Sequence, residues 1–299
     1  MEGKWEEILS EWGMEPAAVE QRYRTVWEIN GKYMLKVYED RKSLERNVRL
    51  LETLSECGAP VARIVKSRGQ EAWVENGGRF WIMTAKLPGG NLTDIREPEL
   101  AFRMGETIGR LHVILKKCEE RLTLRDNSLL DEMEGWIRRT LEADGWRLIG
   151  RAEYEAVADR LKSVYEKLPK QLIHRDVHFG NFLFQDGEFS GYIDFDLSQR
   201  NIRIFDIGYF LAGLLTRESG LRPDREEWLG MVRGVLSGYE SVVRLEPEEK
   251  DALACVMESI ELLFAAYFIG EKDRSSAADA ADIFHRIREW EEGLRGCFS

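Results

Sequence analysis

The sequence predicts an α+β protein in two parts, a small five-stranded sheet with one inserted helix and then a larger, mostly helical body. Three observations predict it. Turn-forming Asn-Gly and Gly-Gly steps separate apolar runs through roughly the first 90 residues, a length that suits a small domain. From residue 98 onward apolar residues recur at helical spacing in successive long runs. One strand pair interrupts those helices around 181–194, directly after a crowded polar loop.

Residues 4–12 read as a short helix. AAVEQRY (17–23), TVWEING (25–31) and KYMLKVYED (32–40) carry strand-like apolar content, and Asn30-Gly31 is a two-residue hairpin signal. KSLERNVRLLETLSECG (42–58) has helical periodicity and stops at Gly58, with Pro60 just beyond. RIVKSRGQEAWVE (63–75) and RFWIMTAK (79–86) complete the sheet, joined through Asn76-Gly77-Gly78. LPGGN (87–91) is the expected linker, which sets the expected parts at 1–86 and 87–299. Helices are expected over 98–118, 127–143, 152–168, 206–217, 225–243, 247–270 and 276–296. No repeat and no low-complexity tract is present.

The 299 residues suffice for one large domain or two moderate ones with a substantial core. Hydrophobic residues at 43% and charged residues at 32% fit a globular protein. A formal net charge of −11 disfavours binding along a nucleic-acid backbone and suits cationic small molecules. Cys57, Cys118, Cys255 and Cys297 are scattered, so neither a disulfide scaffold nor a zinc site is indicated. The opening MEGKWEEILSEW is acidic and amphipathic, unlike a signal peptide. No apolar run approaches about 18 residues. The expectation is a cytoplasmic protein without nucleic-acid or membrane partners.

The polar loop lies in LIHRDVHFGNFLF (172–184), and NFLFQDGEFSGYIDFD (181–196) continues it. Asp186-Gly187 is a strong type I′ turn signal. With those two residues in the turn, Gln185 faces Glu188, Asn181 falls opposite Tyr192, and Asp194 lies one diagonal step past Asn181. Diagonal neighbours sit about 7–8 Å apart, near enough for both side chains to reach one cation. Two carboxylates and a carboxamide suit Mg²⁺, which binds one or two carboxylates plus substrate phosphates. The remaining acid, Asp176, is free to orient a hydroxyl. Taken singly, these residues fit turns and caps. A rival set, His174, Asp176 and His178, shares one face of an extended segment but lacks the further ligand that a metal site needs.

The order His174, Asp176, Asn181, Asp194 resembles the catalytic segment of kinase-like phosphotransferases. The downstream stretch IDFDLSQRNIRIFDIGYFLAGLL (193–215) is similar to the aminoglycoside phosphotransferase and choline kinase group, in which an acid at the position of Asp206 opens a helix after the metal-binding Asp. No Asp-Phe-Gly or Ala-Pro-Glu of protein kinases is present. The resemblance implies a bilobal protein-kinase-like fold, with nucleotide bound by 1–86 and the catalytic loop and acceptor site in 87–299. It implies ATP- or GTP-dependent phosphorylation of a small molecule's hydroxyl. Asp176 would be catalytic, Asn181 and Asp194 would hold Mg²⁺, His174 would support the loop, and Asp206 would cap its helix and brace the loop.

In KYMLKVY, Met34, Lys36 and Tyr38 share one strand face. A lysine between large apolar residues is commonly a snorkelling surface residue. The resemblance makes Lys36 the phosphate-binding lysine, paired with a helix glutamate, Glu45 first and Glu52 second. Position 47, where it implies an acid, holds Asn47. No glycine-rich loop precedes Lys36, which leaves Arg22 or Arg24 to compensate. WIMTAKLPGG (81–90) resembles the hinge that holds adenine, with Thr84 and Lys86 as backbone contributors.

For the acceptor, Trp228, Trp290 and Tyr267 fit either the core or an aromatic box for a quaternary ammonium. Asp196, Glu258 and Glu261 are acids suited to an aminoglycoside's ammonium groups. The alternative reading, of a different class, is a non-catalytic nucleotide-binding structural or regulatory relative such as a spore-coat protein.

Overall fold

The computed structural model describes residues 2–15, 18–124, 126–216 and 222–298. Ala17, first in the first expected strand, and Arg217, last in an expected helix, lie outside them. The chain forms two compact units, one of residues 1–91, 120–122 and 180–196, the other of 92–119, 123–179 and 197–299.

The first unit is built on an antiparallel sheet of β1 (Val19–Tyr23), β2 (Val26–Ile29), β3 (Tyr33–Tyr38), β4 (Trp73–Asn76) and β5 (Arg79–Ala85), in the order β1-β2-β3-β5-β4. Alternation gives the sheet two apolar faces. Leu35, Val37, Ile29, Trp81 and Met83 pack against Ile8, Leu9 and Trp12, in and just beyond helix α1 (Glu2–Ser10). On the other face Tyr38 and Ile82 meet Leu44 and Val48 of α2 (Arg41–Glu56). The side chain of Asp40 starts α2 by accepting from the amides of Lys42 and Ser43 at 3.3 and 2.8 Å. The β2–β3 connection runs through three residues, since Ile29 pairs with Tyr33. The expected fourth strand is short, and its first part, 63–72, makes only an isolated bridge from Ile64 to Thr84.

With β6 at Lys170–Ile173 and β9 at Gln199–Ile202 in the other unit, a hairpin of β7 (Phe182–Gln185) and β8 (Glu188–Tyr192) also belongs to the first unit. Asp186 and Gly187 take φ values of 52° and 80°, as a type I′ turn needs. Gln185 does face Glu188, but a bulge follows, so Leu183 pairs with Gly191 and Phe182 with Tyr192. Asn181 therefore falls opposite Ile193, whose amide donates to the Asn181 carbonyl at 3.1 Å, and not opposite Tyr192. The bulge has a cause. Ser190 Oγ donates to the Pro88 carbonyl at 2.6 Å, and a Cβ on Gly191 would lie 2.8 Å from the Pro60 carbonyl.

The second unit is helical. Its helices are α3 (Pro98–Glu119), α4 (Leu129–Glu132), α5 (Arg138–Ala143), α6 (Arg151–Val164), α7 (Ile204–Gly213), α8 (Arg225–Glu240), α9 (Pro247–Gly270), α10 (Arg274–Glu289) and α11 (Glu291–Arg295). The helix expected over 127–143 is broken at Gly135, whose φ and ψ of −96° and −108° are not helical. Gly105 and Gly238 let α3 and α8 touch backbone to backbone, because a Cβ on either would sit 1.9 Å from a carbonyl of the other helix. α9 is long and apolar enough to cross a membrane by length and composition, a feature the sequence reading missed, and most of it is buried in this unit. It packs on α6, α7 and α10. The two-stranded β6–β9 sheet was not expected at all.

Candidate active site

The candidate residues divide between the units. Lys36, Asn181 and Asp194 lie in the first and Asp176 in the second.

In the first unit the Lys36 ammonium pairs with Asp194 Oδ1 at 2.9 Å and with Asp196 Oδ2 at 2.7 Å. Tyr38, two residues along on the same strand face, donates to Asp196 Oδ1 at 2.8 Å. Asn47, 7% exposed on the inner side of α2, donates to the Tyr38 hydroxyl. Burial works against the charge on Lys36, but Tyr38, Asp196 and Asp194 together push its pKa above the ordinary value. The expected Lys36–Glu45 pair is absent. Glu45 sits on the outer side of α2 and pairs with Arg41 one turn back at 2.8 Å, and Glu52 is also exposed. Leu44, Asn47, Val48 and Leu54 turn inward, so helical spacing puts Asn47 where the acid was expected.

Asp194 adopts a left-handed backbone, φ 60°, and its side chain is 47% exposed. Such strain in a non-glycine residue persists only where the surroundings enforce it. Asn181 is buried. Mg²⁺ is the metal the sequence resemblance implies. Asn181 and Asp194, with Asp196 close by on Lys36, offer only oxygen donors, which fits a hard cation. Among the described residues no group of three or more His, Cys, Asp or Glu is arranged around a common point.

Two further expected contributors have partners within the first unit. The Lys86 amide donates to the Lys32 carbonyl at 2.8 Å, and Thr84 falls opposite Met34 in the sheet. The Lys86 side chain reaches the buried Glu28 at 2.8 Å. Arg22 is held by the same Glu28 at 2.7 Å and by Glu20 at 2.9 Å, so it does not stand free for phosphate.

In the second unit Asp176 Oδ1 accepts from the Tyr209 hydroxyl at 2.7 Å, and His178 Nε2 lies 3.5 Å from Oδ2. Burial opposes ionisation, but the hydrogen bonds from His178 and Tyr209, with the nearby His178 and His174, bring the Asp176 pKa down to about 2. Arg175, just before it, is left-handed with φ 69°. Asp206 holds that loop. Its Oδ2 accepts from the His174 amide at 2.9 Å and its Oδ1 from the Arg175 amide at 2.8 Å. His112 Nε2 lies 3.0 Å from Oδ2, and its other nitrogen meets Tyr239 at 2.8 Å. Asp206 is thus the expected brace, but α7 has no side-chain cap. His174 is fully buried, and its Nδ1 accepts from the Asp176 amide at 3.3 Å, a supporting position.

Sequence reading missed Tyr38, Asp196 in its place beside Lys36, and Tyr209. Strand alternation points to Tyr38, the doubled acid of Asp194-Phe195-Asp196 to Asp196, and the three-residue step from Asp206 to Tyr209 along α7 to the phenol. Of the two readings open to the aromatics, Trp228 and Trp290 take the core one. Trp228 is fully buried, donates to the Leu211 carbonyl at 3.0 Å and packs on the buried Trp290, while Tyr267 is 51% exposed. Glu258 is taken by Arg160 and Arg288 at 3.1 and 3.0 Å.

The model of the phosphotransferase enzyme family matches residues 16–242. A homoserine kinase of Xanthobacter autotrophicus is 28% identical over 256 residues, covering 82% of this chain and 76% of its own. One of Phenylobacterium zucineum is 29% identical over 242 residues, covering 78% and 72%. Amicoumacin kinase, solved with AMP-PNP and Ca²⁺, superposes with a TM-score of 0.73 at 18% identity, covering 98% of this chain and 92% of its own. A microcompartment-associated aminopropanol kinase gives 0.68 at 17% identity, covering 98% of each chain. These structures share the protein-kinase-like fold. Since the family model spans well over half of its length, the chain belongs to the phosphotransferase enzyme family and is a small-molecule kinase.

Proposed function

We propose that this kinase transfers the γ-phosphoryl group of ATP or GTP, with Mg²⁺, to the hydroxyl of a small amine-bearing molecule, homoserine being the first candidate. The observation that carries the reading is the state of Asp176. It is a carboxylate kept ionised and aimed by Tyr209, on a strained loop that a buried aspartate braces. Such a group orients an acceptor hydroxyl and takes its proton late, which suits a reaction that runs on positioning and charge stabilisation. The nucleotide belongs with residues 1–86, where Lys36 would contact phosphate oxygens. Asn181 and Asp194 would hold Mg²⁺, which when bound neutralises charge on the phosphates. Lys36 then exchanges a carboxylate partner for phosphate. The acceptor belongs with 87–299. The homoserine kinase relatives support an amino-alcohol acceptor, and the AMP-PNP and GDP complexes among the fold neighbours support nucleotide use.

The test is nucleoside diphosphate release from Mg²⁺-ATP and Mg²⁺-GTP with homoserine, 1-amino-2-propanol, choline and kanamycin, beside neutral hydroxyl compounds. Homoserine or another amine should stimulate release. Release stimulated by no hydroxyl compound would overturn the reading. A second expectation concerns the metal. Asp194→Asn should weaken Mg²⁺-dependent ATP binding, because an amide cannot replace the carboxylate's charge. Calorimetry with and without Mg²⁺ measures this, and an unchanged metal dependence would move the metal elsewhere.

A further inference from the structure

The two acids that hold Lys36 in the first unit are not equivalent. Both lie in Asp194-Phe195-Asp196, whose middle residue is buried. Among the described residues Asp194 meets the ammonium through Oδ1 alone, at 2.9 Å, and its side chain is 47% exposed. Asp196 is engaged at both oxygens, Oδ2 by Lys36 at 2.7 Å and Oδ1 by the Tyr38 hydroxyl at 2.8 Å. One acid can turn toward an incoming cation, and the other is tied.

Tyr38 is tied in turn. It packs with Leu44 and Val48 of α2 and with Ile82 of β5, which fixes where its hydroxyl stands. Its one proton goes to Asp196, because an ionised carboxylate only accepts. Burial raises the Tyr38 pKa above the ordinary value, so that proton stays in place. The hydroxyl oxygen is then left to accept, and it accepts from the Asn47 side-chain amide. The direction of every bond in the row is set: Asn47 donates to Tyr38, Tyr38 donates to Asp196, and Lys36 donates to the same carboxylate.

Asn47 is bound by this arrangement at a cost. Its Oδ1 is buried and has no hydrogen-bond partner among the described residues. A buried acceptor without a donor is destabilising, and an apolar residue beside Leu44 and Val48 would avoid it. An ionised acid, which the family resemblance implies at this position, has no proton to give the Tyr38 oxygen. The amide is explained by what both alternatives lack, a donor for Tyr38.

We propose that Asp196 is the standing partner of Lys36, in the place of the helix glutamate, and that Tyr38 and Asn47 are positioning residues that keep it there when Asp194 leaves the lysine for Mg²⁺. The proposal rests on the reading of Lys36 as the phosphate-binding lysine and deepens it. An ammonium has three donors. Asp196 keeps one, and the departure of Asp194 leaves two for phosphate oxygens. Lys36 and Tyr38 share β3, the middle strand of the five, so the row is built on a rigid element.

The test is a pair of double-mutant cycles, read by calorimetric binding of Mg²⁺-ATP and of adenosine to the full chain. Tyr38→Phe and Asn47→Leu change no charge, so a change in affinity reports the lysine's position and not the field around the phosphates. Tyr38→Phe should weaken Mg²⁺-ATP about 10-fold and Asn47→Leu, one step further out, about 3-fold, within the worth of one hydrogen bond to a charged group. Adenosine, which has no phosphate, should bind all the proteins alike. In a Lys36→Met background both losses should shrink to under about 2-fold, because the row then ends on no ammonium.

Stability separates positioning from packing. Leucine keeps the branched outline of asparagine and removes the unpartnered oxygen together with the amide. The melting temperature of Asn47→Leu should therefore match or exceed that of wild type. Asp196→Asn should shift the Mg²⁺ concentration needed for ATP binding far less than Asp194→Asn does. An equal shift would make Asp196 a metal ligand and overturn the proposal. Losses undiminished in the Lys36→Met background, or Mg²⁺-ATP affinity unchanged by Tyr38→Phe, would also overturn it, and would leave Lys36 as a phosphate contact. Unchanged Mg²⁺-ATP affinity in Lys36→Met alone would remove the lysine reading itself, and the proposal with it.

Discussion

Asp176→Ala is expected to lower turnover by about 10²–10⁴, the usual worth of a general-base and positioning carboxylate, while nucleotide affinity stays close to wild type. The two effects separate because Asp176 lies in the helical unit, bonded to Tyr209, whereas Lys36, Asn181 and Asp194 lie in the sheet unit. Steady-state kinetics with an identified acceptor and calorimetry with Mg²⁺-ATP check the two halves. Wild-type turnover in the variant would take the catalytic role away from Asp176. The pH profile adds a condition. A pKa depressed to about 2 keeps the carboxylate ionised from pH 5 upward, so an acid limb of kcat in the range 5–8 must belong to another group. Its contribution to stability is present above about pH 3.8 and is lost as pH falls toward 2.

The fold was legible wherever local chemistry decides conformation. Asp186-Gly187 turned as its residue types require, and helix α9 spans Pro247–Gly270, the range its periodicity predicts. Where tertiary contact decides, the sequence was silent. β6 and β9 are four-residue strands, one of them Gln-Arg-Asn-Ile, without an alternating apolar face. Each is a strand because the other lies beside it, a pairing across 25 or more residues that no local pattern encodes. The bulge in the β7–β8 hairpin is similar. It follows from a hydroxyl finding the Pro88 carbonyl 102 residues away, and it moves Asn181 by one register step.

The candidate site shows the same division. Lys36 and Asp194 were legible as types in a spacing, but not as partners, because the contact joins residues 158 apart. Glu45 was the natural local choice for Lys36, and an i,i+4 neighbour, Arg41, won it instead. The acids considered for the acceptor were legible only as a class. Burial and partners sort them, with Asp196 of the first unit on Lys36, Glu258 between two arginines, and Glu261 buried on α9.

Asp206→Ala should cost about 3–5 kcal/mol of folding stability, the loss typical when one side of a buried charged network is removed. Asp206 is fully buried and serves three donors, the amides of His174 and Arg175 and the ring of His112. Alanine has no acceptor for any of them. Each buried donor left without one costs roughly 1–3 kcal/mol, and no water can reach the site without opening the core. A domain is held by only about 5–15 kcal/mol, so the variant should melt far below wild type. Asp206→Asn keeps one acceptor oxygen but turns an amide toward the loop's own N–H groups, and should fall between. The loss should also reach the chemistry. The left-handed Arg175 backbone persists because Asp206 grips the adjacent amides of His174 and Arg175 just ahead of Asp176. Below the melting range, folded Asp206→Asn should therefore lose kcat while nucleotide affinity holds. Urea unfolding together with turnover on the folded protein measures both. A change in stability under 1 kcal/mol for Asp206→Ala would mean that the loop is held by something other than this carboxylate.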